Sequence, residues 1–165
     1  MALDGWLMQD EGAVMDFPAL QVRDLDGMDR IIPDDLPGGP HVIILAFQQW
    51  HQAGVDRWIA SVSEIAKRHL GTDVWEIATM SRGYQAFRPA IDGGMRSAVH
   101  DADVRRHTLT AYTDLERLAQ ALEIDSRETV HVFLVGCDGT VGWHGHGEPD
   151  SVDLTELESA MRPCR

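Results

Sequence analysis

Residues 48–56 read QQWHQAGVD and join an apolar run, Val42–Phe47, to the first turn of an amphipathic helix. Gln48, Gln49, His51 and Gln52 could line a polar, uncharged pocket beside Trp50. An imidazole at a helix N-terminus is disfavoured in its protonated form, so His51 could donate or accept a hydrogen bond as a neutral ring. A thiolate would also gain from those backbone N–H groups, yet the turn holds no cysteine. The competing reading is a connection without function. A second group, His144-x-His146-x-Glu148, puts two imidazoles on one face of an extended segment, with a carboxylate able to complete three metal ligands. Two interleaved glycines loosen it and no distant fourth ligand is evident, so a polar edge strand is the expectation and neither metal nor cofactor is assigned. Gly93 and Gly94, followed by Arg96, interrupt a stretch that otherwise favours helix. They suit either a close approach to a ligand or a simple break.

Cys137 and Cys164 are too few for a disulfide framework. Cys137 precedes Asp138, whose charge raises a neighbouring thiol pKa. Both cysteines therefore read as ordinary surface residues. Arg105, Arg106 and His107 make a local basic spot, which Asp101 and Asp103 neutralise.

The elements that must position these groups follow from periodicity. Phe17–Gly27 reads as a strand entering an Asp-Gly turn, closing a hairpin with Asp29–Pro33. Pro37-Gly38-Gly39-Pro40 is a hard stop. His41–Phe47 is apolar on both faces, as a covered central strand should be. Val55, Trp58, Ile59, Val62, Ile65 and Ala66 form a helical stripe capped near Gly71. A strand over Asp73–Met80 and a helix broken by Pro89 and Gly93-Gly94 follow. His107–Tyr112 alternates as a strand. Thr113-x-x-Glu116 reads as a capping box for a helix burying Leu115, Leu118, Ala119 and Leu122. Val130–Val135 and Val141–His144 flank an Asp138-Gly139 hairpin, and a helix over Asp153–Met161 closes the chain. The expected fold class is α/β, a mixed central sheet with helices on both faces and an N-terminal hairpin. Residues 1–16 form an arm and 17–165 one domain.

Charge narrows the partners. The chain carries 27 acidic against 14 basic residues, a formal net charge of −13. Such a field repels phosphate backbones, so nucleic acid is an unsuitable partner. Asp outnumbers Glu 18 to 9 and Lys67 is the sole lysine, which fits either a GC-rich genome or a salty cytoplasm. The opening MALDGWLMQDEG has no basic n-region, and the longest apolar run is too short for a bilayer. A soluble cytoplasmic protein is expected.

The element order and several phrases resemble the thioredoxin-fold superfamily, in particular its peroxiredoxin-like branch. FPALQVRDLDG followed by IIPDDLPGGPHVIILAF resembles that branch's opening. DVWEIATMS resembles its second core strand, and HVFLVGCDGTVGWHGHG its closing hairpin. The resemblance spans about Phe17 to Met161 and implies a reactive cysteine within Gln48–Asp56, a proline near Glu128–Val130 and an arginine where Val130 stands. All three are absent. A weaker resemblance, through FRPAIDGGMR and RRHTLTAYTD, runs to the thioredoxin-like assembly factor of mitochondrial ATP synthase. The leading expectation is thus a cysteine-less, redox-inactive module, not an enzyme, binding a protein or small ligand through Gln48, Gln49, Trp50, His51, Gln52, Gly93, Gly94 and Arg96. The alternatives are a thiol oxidoreductase or peroxidase using Cys137 or an unrecognised site, and a metal-binding protein using His144 and His146.

Overall fold

The structure is a computed structural model and describes residues 14–164. Strand β1 (Leu20–Asp24) turns back into β2 (Asp29–Ile32). Asp24 Oδ1 accepts the backbone N–H groups of Asp26 and Met28 inside that turn, and Gly27 takes φ +91°, which a side chain would resist. Next come β3 (His41–Ala46), a short 3₁₀ turn (Gln49–His51) and helix α1 (Gln52–Ala66). Strand β4 (Val74–Ser81) leads through a 3₁₀ segment (Arg82–Phe87) into α2 (Arg88–Ala98) and α3 (Ala102–His107). Then follow β5 (Thr108–Thr113), α4 (Leu115–Ala121), β6 (His131–Val135), β7 (Val141–His146) and α5 (Ser151–Ala160).

Seven strands form one sheet in the order β2-β1-β5-β4-β3-β6-β7. The three central strands β3, β4 and β5 run parallel, and the outer pairings are antiparallel. Because successive side chains of a strand point to opposite faces, β3 feeds two cores. Ile43 and Leu45 join Phe17, Trp75, Ile77, Phe133 and the inner face of α4. Val42 and Ile44 join Val55, Trp58 and Val62 of α1 with Leu157 of α5. Helices on both faces are as the apolar pattern requires. Of the arm expected at residues 1–16, only 14–16 lie among the described residues. Asp16 bridges Thr140, and Met15 accepts from the Val141 N–H at 2.7 Å, so this stretch lies along β7.

Three local expectations are corrected. The cap of α4 is Asp114, whose carboxylate accepts from the Arg117 N–H, rather than Thr113. His107 ends α3 instead of opening a strand, and with Arg105 and Arg106 it complements that helix's C-terminus. Helix α2 runs unbroken through Gly93 and Gly94. Its anchor is Asp92, which accepts from Arg88 (3.1 Å), Thr110 Oγ1 (2.9 Å) and the Tyr112 hydroxyl (2.9 Å). That tertiary network outweighs the roughly 1 kcal/mol that each glycine costs a helix.

Candidate functional site

The turn after β3 is held by its histidine. The Phe47 N–H donates to His51 Nδ1 at 3.0 Å, and His51 Nε2–H donates to the Glu128 carbonyl at 3.1 Å. His51 is 2% exposed, so both ring nitrogens are spent on backbone and none faces a ligand. Gln52 splits its amide between Asp56 (2.9 Å) and the buried Glu76 (3.4 Å), whose carboxyl burial pushes above its ordinary range. Trp50 packs edge-on against His51, yet it is 63% exposed, and Gln48 and Gln49 are exposed beside it. Gly93, Gly94 and Arg96, the other binding candidates, lie apart from this turn. Both glycines face open space on α2, and Arg96 pairs with Asp26 at 3.8 Å, at the sheet edge where β5 begins. The turn lies at the opposite edge, where the parallel β3 ends.

The histidine pair of β7 finds a partner that the sequence reading missed. His131 of β6 stands opposite His146, and its Nδ1 accepts from His144 Nε2–H at 3.0 Å. His131 Nε2–H donates to the Ser126 carbonyl at 2.7 Å, which fixes this tautomer because a carbonyl can only accept. Glu148 turns away and forms a two-pronged pair with Arg57. Among the described residues no group of three or more His, Cys, Asp or Glu side chains is arranged to hold a metal ion. The signal available in sequence was register alone, since a histidine opposite His146 needs the hairpin pairing to be known.

Burial, with the neighbouring His131 and His146, pushes the His144 pKa down from 6.5 to about 4. The unfolded chain therefore takes up a proton below pH 6.5 that the folded chain refuses until near pH 4. Stability is full above 6.5 and falls as pH drops toward 4. His144→Gln, which removes the titrating ring, should lose less melting temperature than wild type between pH 7 and 4.5. Equal losses would remove His144 from the acid response.

At the other edge of the sheet, Cys137 and Cys164 are joined in a disulfide, with 5.8 Å between their Cα atoms and a sequence separation of 27. Residue pairings run from Leu45↔His131 at the turn edge to His41↔Val135 at the disulfide edge. Four strand steps, about 14 Å, separate the two edges. Both cysteines are exposed. A cavity of about 240 Å³ opens beside them, lined by Pro33, Asp34, Leu36, His41, Gly136 and Cys137 among others. From the Pro37–Pro40 loop, Gly38 contributes to its wall. His41 Nε2–H donates to the Pro37 carbonyl at 2.9 Å, while its Nδ1 accepts from the Asp73 N–H and the Trp75 indole N–H. Gly39 at φ +126° passes close to both sulfurs, so a Cβ there would lie 3.5 Å from each. A second cavity, about 350 Å³, lies between α1 and α3 and is lined by Ile59, Thr72, Val74, Glu76 and Val104 among others.

This disulfide overturns two expectations. The chain is not cysteine-less, and its two cysteines are not independent surface residues. Twenty-seven residues of sequence gave no local sign of the pairing. It comes from Leu157 and Met161 docking α5 and its end against β6, which brings residue 164 to the Asp138-Gly139 turn.

No protein-family model matches the sequence, and no curated protein matches it. Solved structures do share the fold. A candidate electron transfer protein from Aquifex aeolicus superposes with a TM-score of 0.60 at 12% identity, over 88% of this chain and 96% of that one. BsSco, a member of the Sco family of cytochrome c oxidase assembly proteins, gives 0.56 at 14% identity, over 90% and 94%. A thioredoxin-family thiol:disulfide interchange protein from Chlorobium tepidum gives 0.52 at 15%, over 90% and 96%. At such identities the likeness shows the fold, which is thioredoxin-like. With a disulfide built into that fold, the expectation of a redox-inactive module is withdrawn. Among the described residues no helix is long and apolar enough to cross a membrane.

Proposed function

We propose that the chain is a thiol–disulfide redox protein whose couple is Cys137–Cys164, at the sheet edge remote from the helix-start turn. The observation that carries this reading is an exposed disulfide whose Cys137 lines a cavity. Exposure admits a reductant, and an exposed disulfide is the labile kind. Support also comes from the fold, shared with a protein described as a thiol:disulfide interchange protein. Within that fold, the β1–β2 hairpin ahead of β3 and the Asp138-Gly139 hairpin support a peroxiredoxin-like placement. The reaction moves two electrons. Two thiols of a reductant become a disulfide, and the Cys137–Cys164 bond opens to two thiols.

The test is a redox-buffer titration of the whole chain, following free thiols by alkylation and mass. A midpoint between about −120 and −270 mV, the span of functional dithiol couples, supports the proposal. A midpoint below about −300 mV marks a structural disulfide and overturns it. Cys137→Ser should abolish the titration.

A further inference from the structure

We infer that exchange at this couple is directional and charge-selective: an incoming thiol attacks Cys137, Cys164 leaves, and the cavity favours small uncharged or cationic thiols over anionic ones. The inference rests on the redox reading above and adds the site of attack and the class of substrate.

Three observations carry it. Thiol–disulfide exchange needs the attacking thiolate to reach a particular sulfur. Cys137 lines the 240 Å³ cavity and Cys164 is not among its lining residues. A volume below the roughly 300–1,000 Å³ of drug-sized sites suits one small thiol rather than a folded substrate.

The direction of bond breakage follows from Asp138. Its carboxylate accepts from Thr140 Oγ1 (2.7 Å) and the Thr140 N–H (3.1 Å), and these bonds lower its pKa below the ordinary carboxylate value. A fixed negative charge next to Cys137 disfavours a thiolate there, so the electron pair of the broken bond goes to Cys164. In the first step the substrate sulfur bonds to Cys137 Sγ, and Cys164 departs as a thiolate that takes a proton from water. In the second, another substrate thiolate attacks the substrate sulfur of the mixed disulfide. It releases Cys137 as a thiolate and leaves the oxidised substrate disulfide.

Selectivity follows from the lining. Asp34 brings a carboxylate to the cavity, and among the described residues no Lys or Arg lines it. Burial pushes His41 below its ordinary pKa, so it adds no positive charge at neutral pH, and its two nitrogens are already engaged. The chain as a whole adds a net charge of −13. Anionic thiols meet repulsion from both sources.

The experiment reduces the oxidised full-length chain with cysteamine, 2-mercaptoethanol or 3-mercaptopropionate. Each rate is normalised to the same thiol's rate with a small uncharged disulfide, which removes intrinsic nucleophilicity. At low salt the cysteamine-to-mercaptopropionate ratio should reach about fivefold, as expected for unit charges several ångströms apart near a surface. It should shrink in high salt and in Asp34→Asn, an exposed position. Acid-quenched, alkylated intermediates should carry the mixed disulfide on Cys137 and the alkyl group on Cys164. A mixed disulfide on Cys164 overturns the direction, and a ratio that Asp34→Asn leaves unchanged overturns the selectivity. Failure of all three thiols to open the bond overturns the redox reading itself.

Discussion

Trp58→Ala is expected to destabilise the domain by about 3–5 kcal/mol, the range for truncating a core tryptophan, whereas Trp50→Ala should stay within about 0.5 kcal/mol. The two residues are eight positions apart and differ in everything that sets this cost. Trp58 has no exposed surface, packs among Val55 and Val62 of α1 and against Trp143, and donates its indole N–H to the Gly147 carbonyl at 2.7 Å. Its loss empties a cavity under the sheet and strands that carbonyl. Trp50 is 63% exposed and touches His51 by one ring edge. At about 2–4 °C per kcal/mol for a domain of this size, Trp58→Ala should lower the melting midpoint by roughly 6–20 °C, and Trp50→Ala by no more than about 2 °C. A large fall for Trp50→Ala would place that ring in the core and contradict the structure.

The same pair shows what the sequence could and could not disclose. Position 58 falls on the apolar stripe Val55, Trp58, Val62, Ile65, and a 3.6-residue period is enough to put it inside. The strands were legible for the same reason, because β3 alternates between two cores and reads as apolar on both faces. The Asp26-Gly27 turn was legible because only a few residue pairs suit it. Hidden features depended on contacts between distant segments. Gly93 and Gly94 argue locally against helix, but Asp92 bonded to Thr110 and Tyr112 holds α2 in place. His131 gains its partner only through the β6–β7 register, and Cys137 meets Cys164 only after α5 has docked. The relative placement of the binding candidates was hidden on the same ground. Nothing local in residues 48–52 or 93–96 says how far apart they lie, and α2 carries Arg96 to the end of the sheet where β5 starts.

Reduction of the disulfide, or Cys164→Ser, should lower stability by about 3.5 kcal/mol, the chain-entropy value for a loop of this length, and leave the domain folded. The loop closed by the bond spans 27 residues. Opening it frees the unfolded chain, while the folded end keeps other anchors. Leu157 is fully buried and Met161 nearly so. Glu158 accepts from Arg68 and His69 of the segment after α1, contacts that hold its carboxyl near pKa 2. The melting midpoint should fall by roughly 7–14 °C in reductant, with the far-ultraviolet circular dichroism at 25 °C unchanged. Linkage ties this fall to the redox proposal. Whatever stability the bond gives the fold, the fold returns to the bond, and about 1.4 kcal/mol corresponds to 30 mV for two electrons. A loss near 3.5 kcal/mol makes the couple about 75 mV harder to reduce than the same dithiol in the unfolded chain. A domain that unfolds on reduction would instead have a disulfide that only staples the chain, since a couple cannot cycle through an unfolded state without losing the cavity that receives its substrate.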